Sequence, residues 1–265
     1  MAVNGQTPRD RLACLAGCDH VELAETALLL ASLDGPGNVG AALGRLDQMA
    51  GALAAETADE QAAALAEALG GFHLDEHDHD NSANLFWVLD NRQGTPEALG
   101  LLWLDIARRA GWNAEALAFP GCLLVRLEDD SGHRVIIDPA LGGVVLTPCQ
   151  LRAQVKAMAG LAAELAPSLF APLSNRDILL RLQNEVKLRV LRSGRVAQAV
   201  AIVEATLLFA PDQAGLWREA GMMHMRLDNL PAAIAALEQF VARAGNSPAR
   251  RRTQLLLQEI RARMI

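Results

Sequence analysis

The chain has 265 residues, 51% apolar and 21% charged, enough to build one large domain or two modest ones around a real core. Its 24 Lys and Arg against 31 Asp and Glu leave a formal net charge of −7, which argues against the basic footprint of a general nucleic-acid binder. Aromatic residues make up only 4%, with no Tyr, while Ala and Leu dominate; that bias favours helices over sheet.

The opening stretch MAVNGQTPRDRLACLAG is polar and lacks the apolar segment of a secretory leader. No apolar run approaches the ~20 residues that span a bilayer. Four cysteines, Cys14, Cys18, Cys122 and Cys149, are too few and too scattered for a disulfide framework. These features together predict a reduced, cytoplasmic protein without a membrane partner.

The first seventy residues read as helical. Asp19 is a candidate N-cap for a helix through ALLLASL that stops at Asp34-Gly35-Pro36-Gly37. Leu43, Leu46, Met49 and Leu53, then Leu65 and Leu69, recur at helical spacing, and Thr57 with Glu60 forms a capping box. HLDEHDHD then begins an acidic loop, followed by a short helix carrying Leu85, Phe86, Val88 and Leu89. The next helix has Thr95 as N-cap, Pro96 at its first position, Glu97 in its first turn, and Arg108 and Arg109 in its last before Gly111. AEALAFPGCLLVRLEDD and HRVIIDPALGG read as a strand pair joined by a turn at Asp129–Gly132.

Beyond Ser174 the chain is helical again and repeats itself. Gly194–Asp212 aligns with Asp228–Asn246 at a shift of 34 residues, placing Ala199 on Ala233, Val200 on Ile234, Val203 on Leu237 and Glu204 on Glu238. A helix–turn–helix period of 34 marks tetratricopeptide repeats, and Trp217, Gly221 and Ala233 occupy its aromatic, small and packing positions. The division expected is 1–70 as a helical part of the core, 71–165 as the core proper and 170–265 as the repeats. Stacked helix pairs present a groove that accepts peptides, so Trp217, Met222 and Met225 are candidate partner-binding residues. The ordinary alternative for this Met-rich helix is core packing.

LLLASLDGPG, NLFWVLDNRQGTPEALGLLWLDIARRAGW, AFPGCLLVRL, IDPALGG, LSNRDILLRLQNEVK and APDQAGLWREAG occur here in the order of one family. On these pieces the chain resembles the SirB-type proteins, a transglutaminase-like domain followed by tetratricopeptide repeats. That resemblance implies an α+β, mostly helical fold: a papain- or transglutaminase-like core with a small antiparallel sheet, then helical repeats. It also implies a regulatory role. Enzymes of the wider superfamily use a Cys at a helix N-terminus, a His on the next strand and an Asp beyond. Carried over by resemblance, these positions read Pro96, Cys122 and Asp138.

Pro96 supplies neither nucleophile nor backbone N–H, and Cys122 stands where an imidazole would be the base. The expectation is therefore a degenerate domain in a non-catalytic interaction protein with a protein or peptide partner and no cofactor. Two alternatives remain open at this point. One is a cysteine-dependent amide hydrolase or acyl transferase using Cys122, or Cys149 in the first turn of a Thr147-capped helix, with Asp138. His133, five residues before Asp138, is the nearest imidazole. The other is a metal-binding protein, through His73, His77 and His79 among four carboxylates. The spacing fits no zinc motif, and a solvated acidic loop is the plainer account. CLAGCDH likewise offers Cys14, Cys18 and His20 but no fourth ligand.

Overall fold

A computed structural model describes residues 6–263. Residues 1–5, on which part of the leader reading rests, lie outside it, as do residues 264 and 265. The fold is mostly helical, with twelve α-helices and two small sheets among the described residues, and none of these helices is long and apolar enough to cross a membrane. The chain divides into two units. One runs from His20 to Leu182; the other joins the residues up to Asp19 with those from Gln183 onward.

The His20–Leu182 unit is built around α6, Pro96–Arg109, whose residues Ala98 to Ala107 are all buried. A helix that is buried all round needs neighbours on every side. They are α2 (Leu23–Ala31), α3 (Val39–Gly51), α4 (Ala58–Leu69), α5 (Leu85–Asn91) and strands of both sheets. Gly100 allows one of these approaches: a Cβ there would lie 2.6 Å from Leu123 Cβ. Asp105 is the one charged residue in the buried stretch, 7% exposed. Its Oδ1 accepts from Ala24 N–H at the start of α2 (3.2 Å), and its Oδ2 accepts from Arg109 Nε–H (2.5 Å). The next residue, Arg108, donates to Ala114 O (2.8 Å) and to Asn175 Oδ1 (2.7 Å).

Two short strands, β1 (His73–Leu74) and β2 (Gln93–Gly94), pair in parallel just before α6. The second sheet is antiparallel in the order β3 (Asn113–Ala116), β4 (Val125–Glu128), β5 (Arg134–Asp138), β6 (Val144–Val145). The sequence reading of AEALAFPGCLLVRLEDD as one strand is thus corrected. Pro120 and Gly121, the latter at φ +80°, break it into β3 and β4 with a loop between. The expected turn at Asp129–Gly132 is present, with Gly132 N–H donating to Asp129 O. The Asp129 carboxylate gathers this corner, accepting from Ala58 N–H (3.0 Å), Ser131 N–H (3.0 Å), Ser131 Oγ–H (2.6 Å) and His133 N–H (3.1 Å). Next comes α7 (Pro148–Ala159), with the Thr147–Gln150 capping box in place.

In the other unit, α8 (Asn175–Arg192), α9 (Val196–Phe209), α10 (Ala214–Arg226), α11 (Leu230–Arg243) and α12 (Pro248–Arg263) follow one another, the unit boundary falling within α8. The 34-residue period is exact to the residue at four helix ends: 192 and 226, 196 and 230, 209 and 243, 214 and 248. The turns match as well, since Gly194 and Asp228 both adopt positive φ. Gly221 lets α10 and α11 close on each other; its Cβ would fall 2.6 Å from Leu237 Cγ. The first helix, α1 (Pro8–Cys14), belongs to this unit and packs on α9, with Leu12 fully buried. This differs from the expected grouping of residues 1–70. Asp19 also caps nothing: α2 begins at Leu23, after Glu22, with no side-chain cap.

Gly100→Ala is expected to destabilise the chain. Overpacking against Leu123 costs about 1–3 kcal/mol, more than the roughly 0.5–1 kcal/mol that replacing a helical glycine returns. Gly44→Ala, on the exposed side of α3 with open space around its Cβ, should instead raise the urea midpoint. A higher midpoint for Gly100→Ala would show that the Leu123 segment yields. A second prediction concerns Asp129, whose carboxyl is held down at about 2 by the hydrogen bonds from Ser131 and Ala58. A depressed folded pKa contributes stability above the unfolded value near 4 that is lost as pH falls toward 2. Denaturation midpoints measured from pH 5 to pH 2 should therefore fall more steeply for the native chain than for Asp129→Asn.

Candidate functional site

Thr95 is buried, with its N–H donating to Ser82 O and its Oγ1 accepting from Ala98 N–H (3.2 Å). The expected cap is therefore built, and Pro96 opens α6 without an N–H to offer. Glu97, the next residue, is half-buried.

Cys122 lies in the loop before β4 rather than on a strand, because Pro120 and Gly121 delay the strand to Val125. It is half-buried, packed against an apolar cluster of Leu117, Phe119, Leu124, Leu151 and Val155, the last two from α7. Its thiol is pushed up to about 12, first by burial and then by the Asp138 and Glu97 carboxylates, with Arg181 opposing them weakly. Asp138 ends β5 and is almost fully buried; its Oδ1 accepts from Ala140 N–H (2.9 Å) and its Oδ2 from Gln154 Nε2–H (3.3 Å). Burial raises the pKa of this carboxyl, and those hydrogen bonds hold it partly back.

The start of α6, Cys122 and Asp138 are thus brought within electrostatic reach of one another. The chemistry assembled there is unlike a thiol–imidazole pair. Thiolate formation needs a cationic or dipolar partner, and Cys122 has two carboxylates and an apolar surround. His133 does not join them: its ring turns to Asp59 on α4, Nε2 to Oδ2 3.0 Å. Cys149 is exposed in the first turn of α7, whose residue reaching Asp138 is Gln154. Gln154 and Glu97 were missed as site residues, because a Gln in a helix and a Glu in a first turn carry no signal of their own in a sequence.

The His-rich segment is organised by a carboxylate. Asp75 accepts from His77 N–H (3.1 Å), His79 N–H (2.6 Å) and His79 Nδ1 (2.8 Å), and its side chain is nearly inaccessible. Burial works to raise its pKa, yet these bonds prevail and hold it at about 2. His73, His77 and His79 are all exposed, and the His79 ring stands 5.4 Å from that of Trp87. Among the described residues, no three His, Cys, Asp or Glu side chains gather closely enough to hold a metal ion. Cys14 and Cys18 are exposed and unbridged.

In the repeats, Trp217 is half-buried against the helix core, its Nε1–H donates to Pro211 O (2.8 Å), and the Arg243 guanidinium stands over its ring at 5.3 Å. Met225 packs against the α11–α12 cluster, whereas Met222 is exposed.

Residues 40–184 match the family model described as the transglutaminase-like superfamily, and residues 186–258 match that of the tetratricopeptide repeat. A UPF0162 protein of Xylella fastidiosa is 28% identical over 174 residues, 64% of this chain and 61% of that protein. Protein SirB1 of Salmonella typhimurium and the UPF0162 protein YchA of Escherichia coli are each 27% identical over 161 residues, 61% of this chain and 60% of theirs. The chain thus spans about 60% of the length of the curated relatives it matches. The first model covers more than half of the 265 residues. The protein belongs to the transglutaminase-like superfamily and carries tetratricopeptide repeats behind that domain.

Proposed function

We propose that this chain is a non-catalytic interaction or regulatory protein of the cytoplasm, in which the transglutaminase-like domain has kept its frame and lost its chemistry. The observation that carries the reading is the Cys122 thiol, pushed up to about 12 beside Asp138 and Glu97, with Pro96 at the helix start where a nucleophile would stand. A hydrolase or acyl transferase needs the opposite arrangement: a thiolate stabilised by a cation or helix dipole and a base to pass the proton. The repeat region supports partner binding, since tetratricopeptide helix pairs present a surface on which peptides dock. Within it Met222 is the candidate that is free to touch a partner, while Trp217 and Met225 shape the helices behind it.

The test is alkylation of the native chain as a function of pH, with each cysteine followed by mass spectrometry. A thiol with a pKa of about 12 is ionised at roughly one part in ten thousand at pH 8. Cys14, Cys18 and Cys149, all exposed, should therefore react at least about a hundredfold faster than Cys122. Rapid modification of Cys122 at acidic pH would overturn the reading and make the enzyme alternative the one to pursue. The same shift has a sign for stability. A folded pKa above the unfolded value near 9 contributes stability that is intact below pH 9 and is lost as pH climbs toward 12. Cys122→Ala should remove that alkaline loss.

A further inference from the structure

A groove of about 760 Å³ runs between α11 and α12. Half-buried Val241 and buried Leu257 give it an apolar floor, and Leu255, 60% exposed, lines it at the surface. Its charged lining is unequal: Arg250, Arg251 and Arg261 stand against Glu238 alone. Glu238 is already paired with Arg261. Arg250 donates from Nε to Val241 O (3.0 Å) at the end of α11, which holds its guanidinium at the groove. The two terminal nitrogens of Arg250 have no partner among the described residues, and neither does the exposed Arg251 side chain. Two cations are therefore left over beside an apolar floor, in a chain whose net charge is −7.

The repeat supplies a second and independent observation. α12 begins 34 residues after α10, so Arg251, Gln254, Leu255 and Gln258 take the positions of Trp217, Ala220, Gly221 and His224. On α10 that row is covered: Ala220, Gly221 and His224 are buried and Trp217 is half-buried. Two residues of α11 do part of the covering, Leu237 against Gly221 and the Arg243 guanidinium over the Trp217 ring. On α12 all four positions are exposed, and all four line the groove. Among the described residues, α12 thus leaves open the row on which α10 receives a helix. The charge is also inverted there: Trp217 lies under a cation, whereas its counterpart Arg251 is itself the cation and calls for an anion.

We propose that this groove receives an acidic amphipathic helix of a partner protein, laid on α12 as α11 is laid on α10. Its aliphatic side chains fill the space beside Leu255 and Leu257, as in other helix-in-groove complexes. Its carboxylates pair with Arg250 and Arg251, whose planar guanidinium groups match a carboxylate at two points. Nucleic acid also carries anions but suits the groove less well. No aromatic ring lines it for a base to stack on, and a phosphate backbone has nothing to place on an apolar floor. The proposal rests on the partner-binding reading of the repeats and adds the partner's chemistry to it.

The full chain is titrated by fluorescence anisotropy against a fluorescein-labelled peptide, Asp-Leu-Glu-Glu-Leu-Leu-Glu-Asp-Leu-Glu. Two control peptides replace every acid by its amide or every Leu by Ser, and a labelled oligouridine of similar length is the fourth probe. Saturation by the acidic Leu peptide below ~1 mM is expected, with each control peptide about tenfold weaker or worse. The double variant Arg251→Ala, Leu255→Ala, both changes on exposed side chains, should weaken the peptide by about tenfold or more. Met222→Ser, outside the groove, should leave the affinity unchanged. The proposal is overturned if the peptide does not saturate or if the double variant binds it as well as the native chain. Equal binding of the Ser peptide also overturns it, as diffuse charge attraction, and so does tighter binding of oligouridine. Loss of the peptide in Met222→Ser but not in the double variant overturns the groove while leaving partner binding by the repeats in place.

Discussion

Everything in the His20–Leu182 unit depends on the complete burial of α6. Ten consecutive residues, Ala98 to Ala107, face protein on every side, so each neighbour is placed by the shape of this helix. Gly100 determines how near the segment before β4 can come, and Leu123 occupies the space that glycine leaves. That approach in turn puts Cys122 beside the first turn of α6. Asp105 does the converse: a charge in the buried stretch is tolerable only because Ala24 and Arg109 answer both of its oxygens, and this fixes where α2 begins. The positions of the residues around Cys122 and the start of α6 are thus consequences of packing.

The first turn of α6 is likewise set by local helix chemistry, since Pro at the first helical position gives up no backbone hydrogen bond. With Thr95 capping and Glu97 complementing the dipole, the start of α6 is built for stability. Cys122 is placed by packing as well: it lies against Leu117, Phe119 and Leu124 as a small apolar side chain, and the buried Asp138 is fastened to Gln154 and Ala140.

Much of the architecture was legible because local chemistry and the global fold agree. The Thr57–Glu60 and Thr147–Gln150 boxes, the Thr95 cap, the Asp129–Gly132 turn and the 34-residue repeat are all written in neighbouring residues. The failures lie where tertiary context decides. Asp19 is a good cap by type, but α2 starts at Leu23, where Asp105 from across the core supplies the acceptor for Ala24. AFPGCLLV carries strand-forming residues on both sides of a Pro-Gly break, and the break proved stronger. The placement of α1 on α9 joins segments more than 180 residues apart, a pairing no local pattern can express. In the candidate site, Pro96, Cys122 and Asp138 were found through resemblance. The electrostatics that give them meaning come from Glu97 and from the covering helix α7, which only the folded chain assembles.

The repeat unit has a consequence for how this chain can change in length. Gly194 and Asp228 make the same left-handed turn one period apart, and the helices on either side of them end or begin at equivalent residues. Cutting the chain after one such turn and rejoining it at the other would leave the same backbone path at the junction, and so would copying the segment between them. The array is therefore written in interchangeable cassettes. Its reach could grow or shrink by whole cassettes at these junctions, whereas a residue added inside a helix would rotate the residues after it onto a different face.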